Sequence, residues 1–369
     1  MLSLINEKHR VLMSEKKVTI LSIDGGGIRG IIPGVIMEYI EGELRRIEGE
    51  GVRIADYFDL IAGTSTGGIL TGLYLVPDEK NPSRPKYDAT DAVNLYFLNG
   101  PKIFDLNLWK RLRTLGGMAD EKYNASYFEK ALANYFGDSR LSDLLKPSLI
   151  AAYDIEKRRA VFFTSIEAKE TEVRNFKMRD VVRATSSAPT YFEPPLIYAE
   201  DGAAYALIDG GVFANNPALC AYAEARKIDF SHLGKAIEPC GKELLIISLG
   251  SGARSMARKR PYPYKKYKDA GKLKWIPAVI DMMTSGNSET VDYQLKQIFD
   301  TMEPVDKNDY HRVDPDIGLA NPEMDNASPE NMEALRQAAK AYIAQNQDEL
   351  DVIVSKLIAH KVEAGKTLV

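Results

Sequence analysis

The chain is expected to be an α/β protein, a parallel sheet wrapped by helices, and three stretches of sequence carry that expectation. The apolar run Val18–Ile23 stops at Asp24 and three glycines. A stretch of helical period follows from Pro33, and a second apolar run, Tyr57–Ala62, enters another glycine turn ahead of the apolar helical stretch Ile69–Val76. Strand, turn and helix, repeated, return the chain to the same end of a sheet, so the strands run parallel with helices on the faces.

Each element has a local cause. Val18–Ile23 is short and rich in aliphatic and β-branched residues, as a buried strand requires. Ile36, Tyr39, Ile40, Leu44 and Ile47 recur at helical spacing, with Glu43, Arg45, Arg46 and Glu48 on the opposite face, so this helix lies on the sheet. Leu149–Tyr153, Ala160–Thr164, Tyr205–Ile208 and Leu244–Leu249 are further strand candidates, and Pro77–Pro85 is a polar loop. Asn216-Pro217 and Ser328-Pro329 each place a capping side chain before a proline, a pairing that starts helices. No repeat and no linker divides the chain. The expected layout is an arm over residues 1–15, one main domain over 16–310, and a helical extension over 311–369 packed on that domain.

Composition narrows the partners. With 369 residues, 45% of them hydrophobic, the chain can bury a large core. A formal net charge of -4 does not suit a nucleic-acid polymer. Cys220 and Cys240 are too few for a disulfide framework, and Cys220 sits in an apolar helical pattern as a buried thiol. The first residues mix charges with short apolar runs, unlike a signal peptide, and no run is long enough to span a bilayer, so a cytoplasmic protein is expected.

Gly63-Thr64-Ser65-Thr66-Gly67 fits the G-x-S-x-G nucleophile elbow, in the strand–turn–helix context that the elbow needs. Gly63 and Gly67 lack side chains where Cβ atoms would collide across the turn, and the helix behind Ser65 favours negative charge. A bare glycine turn for strand–helix packing is the bland alternative. Asp24-Gly25-Gly26-Gly27-Ile28-Arg29-Gly30 also contains G-x-G-x-x-G. A dinucleotide loop would need an acid ending the next strand, but Glu50 lies in the connection Gly49–Gly51 and the next strand ends at Ser65. Successive glycine N–H groups instead suit an oxyanion, and Arg29 either reinforces that site or pairs with a carboxylate. Of His9, His232, His311 and His360, His311 in Asp309–Arg312 is the best triad candidate, though no motif surrounds it. The other base candidate is Asp209, which ends a strand before Gly210 and Gly211. Ser186-Ser187 reads as a turn at a helix end, and Gly250-Ser251-Gly252 as a packing or anion-side loop.

Three motifs in this order, each at a strand end, resemble the patatin family of lipid acyl hydrolases. The resemblance continues through Pro101–Phe104, Ala184–Pro195, Leu245–Gly252 and Met324–Met332, and covers nearly the whole chain from Val18 onward. It implies a three-layer α/β/α sandwich with a central, mostly parallel sheet and a helical C-terminal extension. It implies Ser65 as nucleophile, Asp209 as base and Gly25, Gly26 and Gly27 as the oxyanion loop, with Arg29, Gly30, Gly63, Gly67, Gly210 and Gly211 supporting the motifs. No metal and no cofactor is implied. The substrates would be phospholipids, galactolipids or other fatty-acyl esters. Two other roles follow from relatives of this kind: a cyclic-nucleotide-activated phospholipase effector of bacterial anti-phage defence, and a storage protein with weak esterase activity.

The segment from Arg254 to Trp275 adds an expectation of its own. Arg254, Arg258, Lys259, Arg260, Lys265, Lys266, Lys268, Lys272 and Lys274 face one acid, Asp269, with Tyr262, Tyr264, Tyr267 and Trp275 interleaved. Pro261 and Pro263 discourage a regular helix. Basic and aromatic residues in alternation suit transient contact with an anionic membrane surface, or a phosphate-bearing regulatory ligand, against the plainer reading of a solvated loop.

Overall fold

The computed structural model describes residues 16–104, 125–252, 262–269, 271–304 and 306–362. The expected arm over 1–15, His9, and Arg254, Arg258, Lys259 and Arg260 of the basic segment lie outside the described residues. The strands are β1 (Val18–Ile23), β2 (Leu60–Thr64), β3 (Ser148–Asp154), β4 (Arg159–Thr164), β5 (Leu196–Tyr198), β6 (Ala204–Asp209), β7 (Leu244–Leu249) and β8 (Tyr310–Val313). They form one sheet in the order β5-β6-β3-β2-β1-β7-β8, with β4 also paired to β3. The centre, from β3 through β2, β1 and β7 to β8, is parallel, whereas β4, β6 and β5 join antiparallel.

The longer helices are α1 (Ile31–Glu48), α2 (Thr66–Leu75), α3 (Ala89–Ile103), α4 (Ala125–Phe136), α5 (Met178–Thr185), α6 (Ala218–Ala225), α7 (Lys272–Asp300), α8 (Pro329–Gln345) and α9 (Gln347–His360). Alternation along the strands sorts them into two layers, because successive side chains leave a strand on opposite faces. Leu21, Ile23, Ile61, Leu245 and Ile247 enter the core beneath α1, α2, α3, α8 and α9. Val18, Ile20, Leu60, Ala62, Leu244 and Ile246 enter a second core with α6 and the end of α7. The result is a three-layer sandwich whose parallel strands are apolar on both faces, as buried parallel strands are.

The structure shifts several expected boundaries. β2 begins at Leu60, opposite Ile20 of β1, and not at Tyr57. Tyr57 and Phe58 are buried ahead of it as core side chains, so their apolarity reports packing and not strand. α2 begins at Thr66, directly behind the serine turn. Ser328 caps α8 as expected, its side chain accepting from the Asn331 N–H. Asn216 accepts from the Ala218 N–H at 3.0 Å, but Pro217 stands one place outside α6. The basic segment is helical at Tyr264–Tyr267 after Pro263, and again from Lys272. β8 extends the sheet past residue 310, and α8 and α9 then pack on α1. Cys220 and Cys240 are both free and half-buried.

One edge of β3 organises the molecule. β4 covers the other edge along Leu149–Asp154. On the open edge β2 pairs up to Thr64, opposite Ala151, and β6 arrives from the other direction and stops at Asp209, opposite Ala152. Two strand ends meet there head to head.

The start of the sheet is fixed by a buried ion pair. Asp59 accepts from the Thr19 N–H (2.7 Å) and hydroxyl (2.9 Å), and Lys235 reaches it with a side chain only 1% exposed. Removing one member of such a pair strands the other charge. Lys235→Met should lower stability by about 3 kcal/mol, and the double change Lys235→Met with Asp59→Asn should recover part of it. Urea midpoints of the unchanged protein and the two variants check this, and equal midpoints for the single variant and the unchanged protein would rule it out.

Candidate active site

Ser65 sits where β2 turns into α2, with φ 55° and ψ −122°. That backbone is strained for a residue with a side chain, and the surroundings hold it. A Cβ on Gly63 would overlap the Gly67 carbonyl, and one on Gly67 would overlap the Ile23 carbonyl at the end of β1. The first glycine therefore clears the turn, as expected, and the second clears the neighbouring strand. The Ser65 N–H donates to the Thr185 hydroxyl (2.9 Å), which donates to the Ala151 carbonyl (2.6 Å).

Asp209 ends β6 on the same edge of β3, and its side chain lines the same cleft as Ser65. Its N–H donates to the Ser187 carbonyl (3.0 Å), and its Oδ1 accepts from the Gly211 N–H at 2.7 Å. Gly210 gives the close approach to β3, because a Cβ there would overlap the Ala151 carbonyl. Burial pushes the Asp209 carboxyl up to about 6, while the nearby Ser65 hydroxyl and the Gly211 N–H pull it down.

The loop after β1 brings Gly26 and Gly27 to the same space as Ser65 and Asp209. Gly27 has φ +59°, and a Cβ there would overlap the Met324 carbonyl, so only glycine fits. The three expected oxyanion glycines are not equivalent. The Gly25 N–H donates to the Asn215 carbonyl at 3.0 Å, whereas no hydrogen bond among the described residues engages the N–H groups of Gly26 and Gly27. Arg29 does not line the cleft. Its guanidinium reaches the Gly26 carbonyl (3.5 Å) and the Gly252 carbonyl (3.4 Å), closing the loop from behind. Gly30 lets the loop lie on Thr66 and Tyr96, whose hydroxyls are 2.5 Å apart. The loop Gly250–Gly252 lies against the glycine loop, with Ser251 donating to the Gly25 carbonyl at 2.7 Å.

Beneath the glycine loop lies a charge pair that the sequence reading missed. Arg312 on β8 grips Asp24 with both terminal nitrogens, at 2.9 and 2.7 Å, and also bonds Ser248 (2.9 Å) and Asp314 (3.0 Å). Ser288 of α7 donates to Asp24 (3.1 Å) and accepts from Asn215 (3.0 Å), so one network joins β1, β7, β8, α7 and the turn after Asp209. Burial pushes Asp24 up to about 6 against the pull of Arg312, which leaves the pair ionised at neutral pH. The alternation of Tyr310–Val313 held the signal, since adjacent strand residues face opposite ways. His311, the expected triad candidate, faces Lys356 with Nε2 3.2 Å from its Nζ, and burial lowers its pKa to about 4. His311 does not line the cleft. His360 accepts from the Lys17 N–H (3.1 Å), and His232 lies in the helical turn Ser231–Leu233.

Above these groups opens an apolar cleft. Its walls are Ile28, Ile69, Leu95, Ile103, Phe104, Phe128 and Phe192, with Met324 at one side and Ile280 and Thr284 of α7 at another. Phe192 stacks on Phe128 and Phe104 with ring centroids 5.6 and 6.0 Å apart. Ser186 also lines the cleft, and its buried hydroxyl has no hydrogen-bond partner among the described residues. The expected helix-end turn is there, since Ser186 follows α5, and Thr185 and Ser187 on either side hold Ser65 and Asp209.

A sheet flanked by two helical layers, with a serine turn at the floor of an apolar cleft, defines a three-layer α/β protein with its candidate site at the strand ends. A family profile described as patatin-like phospholipase matches residues 21–222. Patatin-like protein 3 of Arabidopsis thaliana is 34% identical over 360 residues, covering 91% of this chain and 82% of its own. Patatin-04/09 of Solanum tuberosum is 35% identical over 341 residues, covering 89% and 84%. The solved structure of human GIVD cytosolic phospholipase A2 aligns over 96% of this chain and 62% of its own, with 11% identity and a TM-score of 0.43. The chain belongs to the patatin-like phospholipase family, whose members are lipid acyl hydrolases.

Two outcomes follow from these geometries. Arg312→Lys keeps the charge but not the two-pronged grip, so the glycine loop should shift. We expect kcat on an acyl ester to fall about a hundredfold with a smaller change in KM. Steady-state kinetics check this, and a loss confined to KM would contradict it. For Asp209 the folded pKa of about 6 exceeds the ordinary value of 3.8, so its ionised form costs stability above about pH 6, and the cost disappears as pH falls through 3.8. Asp209→Asn should therefore melt higher than the unchanged protein near pH 8 and equally near pH 3, as read by calorimetry.

Proposed function

We propose that this protein hydrolyses fatty-acyl esters of phospholipids or galactolipids, with Ser65 as nucleophile and Asp209 as its base. What supports the reading is that Ser65, Asp209, Gly26 and Gly27 line one apolar cleft, where no hydrogen bond among the described residues engages the Gly26 and Gly27 N–H groups. The acyl chain lies among Leu95, Ile103, Phe128 and Phe192, which places the ester carbonyl over Ser65.

Asp209 takes the Ser65 proton as Oγ attacks the carbonyl carbon, and the oxyanion forms against Gly26 and Gly27. Collapse expels the alcohol, which receives its proton from Asp209, and leaves the acyl group on Ser65. Water then attacks, giving its proton to Asp209, and the fatty acid departs as Ser65 recovers its hydrogen. A carboxylate of ordinary pKa is a weak base for a hydroxyl; burial raises that of Asp209 to about 6 and improves the match. Gly25 keeps the loop in place through Asn215, and the dipole of α2 adds to the field at Ser65. To reach its substrate the enzyme makes transient contact with a membrane surface. No helix among the described residues is long and apolar enough to cross one.

Ser65→Ala and Asp209→Asn should each lower turnover by about three orders of magnitude, and the double variant should be little worse, because the two act as a unit. His311→Ala should stay within about tenfold of the unchanged protein, and kcat/KM should fall below about pH 6 as Asp209 is protonated. Assays on a panel of phospholipids, galactolipids and short-chain esters test this. An active Asp209→Asn beside a dead His311→Ala would overturn it.

A further inference from the structure

Helix α7 treats its two halves differently. Val291, Leu295 and Phe299 of the second half are buried in the core shared with α6. The first half stands over the cleft, with Ile280 and Thr284 in the cleft wall. On its outer side Val279, Met282 and Met283 are 42%, 37% and 47% exposed. Positions 279, 282 and 283 recur at helical spacing, so these side chains make one apolar stripe rather than scattered exposures.

The change of character falls at Thr284–Ser288. The Thr284 and Ser285 hydroxyls bond back to the Asp281 carbonyl at 3.0 and 2.9 Å, and Gly286 follows. Asn287 donates to the Phe213 carbonyl (2.6 Å) and Ser288 to Asp24, which fastens the helix to the site at this point. Beside the first half, Tyr262 donates to Asp281 (2.7 Å) and the Tyr267 ring meets Trp275 edge-on at 5.3 Å. These contacts hold the turn Tyr264–Tyr267 against α7, with Tyr264 80% exposed and Lys265 and Lys268 also exposed.

We propose that the outer stripe of α7, with Tyr264, Lys265 and Lys268, is the surface by which this protein lies on an anionic phospholipid bilayer, cleft mouth inward. The inference rests on the reading of the site as a lipid acyl hydrolase and names where that site meets its substrate. One helix carries both the exposed stripe and the cleft wall, so an acyl chain passing from bilayer to cleft stays on apolar surface. Lys265 supplies charge complementarity to anionic head groups together with Lys268, whose Nζ lies 3.5 Å from the exposed Asp269 carboxylate, and an amphipathic helix with cations at its border binds in the plane of the interface.

The test uses two double variants, Met282→Glu with Met283→Glu and Lys265→Glu with Lys268→Glu. Binding is read by sedimentation with phosphatidylglycerol vesicles in a Ser65→Ala background, and hydrolysis with Ser65 present. Each pair should weaken vesicle binding about tenfold and slow vesicle hydrolysis to match, while a soluble short-chain ester is cleaved within about twofold of normal. The lysine effect should vanish at about 1 M salt and the methionine effect should persist. Unchanged vesicle binding overturns the proposal. So does equal loss on both substrates with binding intact, or a shift in oligomeric state on gel filtration without a change in binding, which would assign the stripe to a second copy of the chain. Failure of the catalytic reading looks different: the unchanged protein would bind vesicles and cleave no ester.

Discussion

The site depends on how the open edge of β3 is shared. β2 runs parallel to β3 and stops at Thr64, β6 runs antiparallel and stops at Asp209, and adjacent residues of β3, Ala151 and Ala152, stand opposite the two ends. Ser65 is thus delivered to Asp209 by backbone hydrogen bonds rather than by a flexible loop. A slip of one residue in either ladder would turn the side chains to the other face of the sheet and separate the pair. The Ala151 carbonyl receives the Thr185 hydroxyl, which in turn holds the strained Ser65 backbone, and Gly210 packs against the same carbonyl.

A second layer of support sits at the carboxyl ends of the parallel strands, where open α/β sheets place their ligand sites. β1, β7 and β8 end around the Asp24–Arg312 pair, and the glycine loop rests on it. A buried ion pair gives little net stability, but it fixes direction, because a two-pronged guanidinium admits few orientations of the carboxylate. The positive φ of Ser65, the desolvated Asp209 carboxyl and the Ser186 hydroxyl, unpartnered among the described residues, each cost stability in the same small volume. The two apolar cores on either face of the sheet supply what offsets them.

Over that floor the helices give the cleft its chemistry. α3 and α4 contribute Leu95, Ile103 and Phe128, the segment after α5 contributes Phe192, and α7 closes one side. Asn287 and Ser288 tie α7 to Phe213 and Asp24, so the helix beside the cleft mouth and the loop at the cleft floor share one hydrogen-bond network.

The sequence by itself determined the layered α/β class, most of the central strands and the residues at their ends. Those features are local: a buried strand is apolar over a few residues, and Gly63, Gly67 and Gly27 are required wherever backbone comes this close. The places of Ser65, Asp209 and Gly25–Gly27 at strand ends were legible for that reason. Only the tertiary structure decided which of the three glycines leave their N–H groups unengaged, since the partner of Gly25 is a carbonyl 190 residues away, at Asn215. It also decided that Arg312, and not the neighbouring His311, turns towards Asp24, because strand alternation sets the facing of both only once β8 is paired to β7. The expected irregular segment before Trp275 became helix at Tyr264–Tyr267 and from Lys272, where Pro263 and Gly271 stand just outside the helix starts and break no helical hydrogen bond. Pairing across the chain and the long-range packing of α7 carry no local signature, and the cleft, its support and its outer face arise from them.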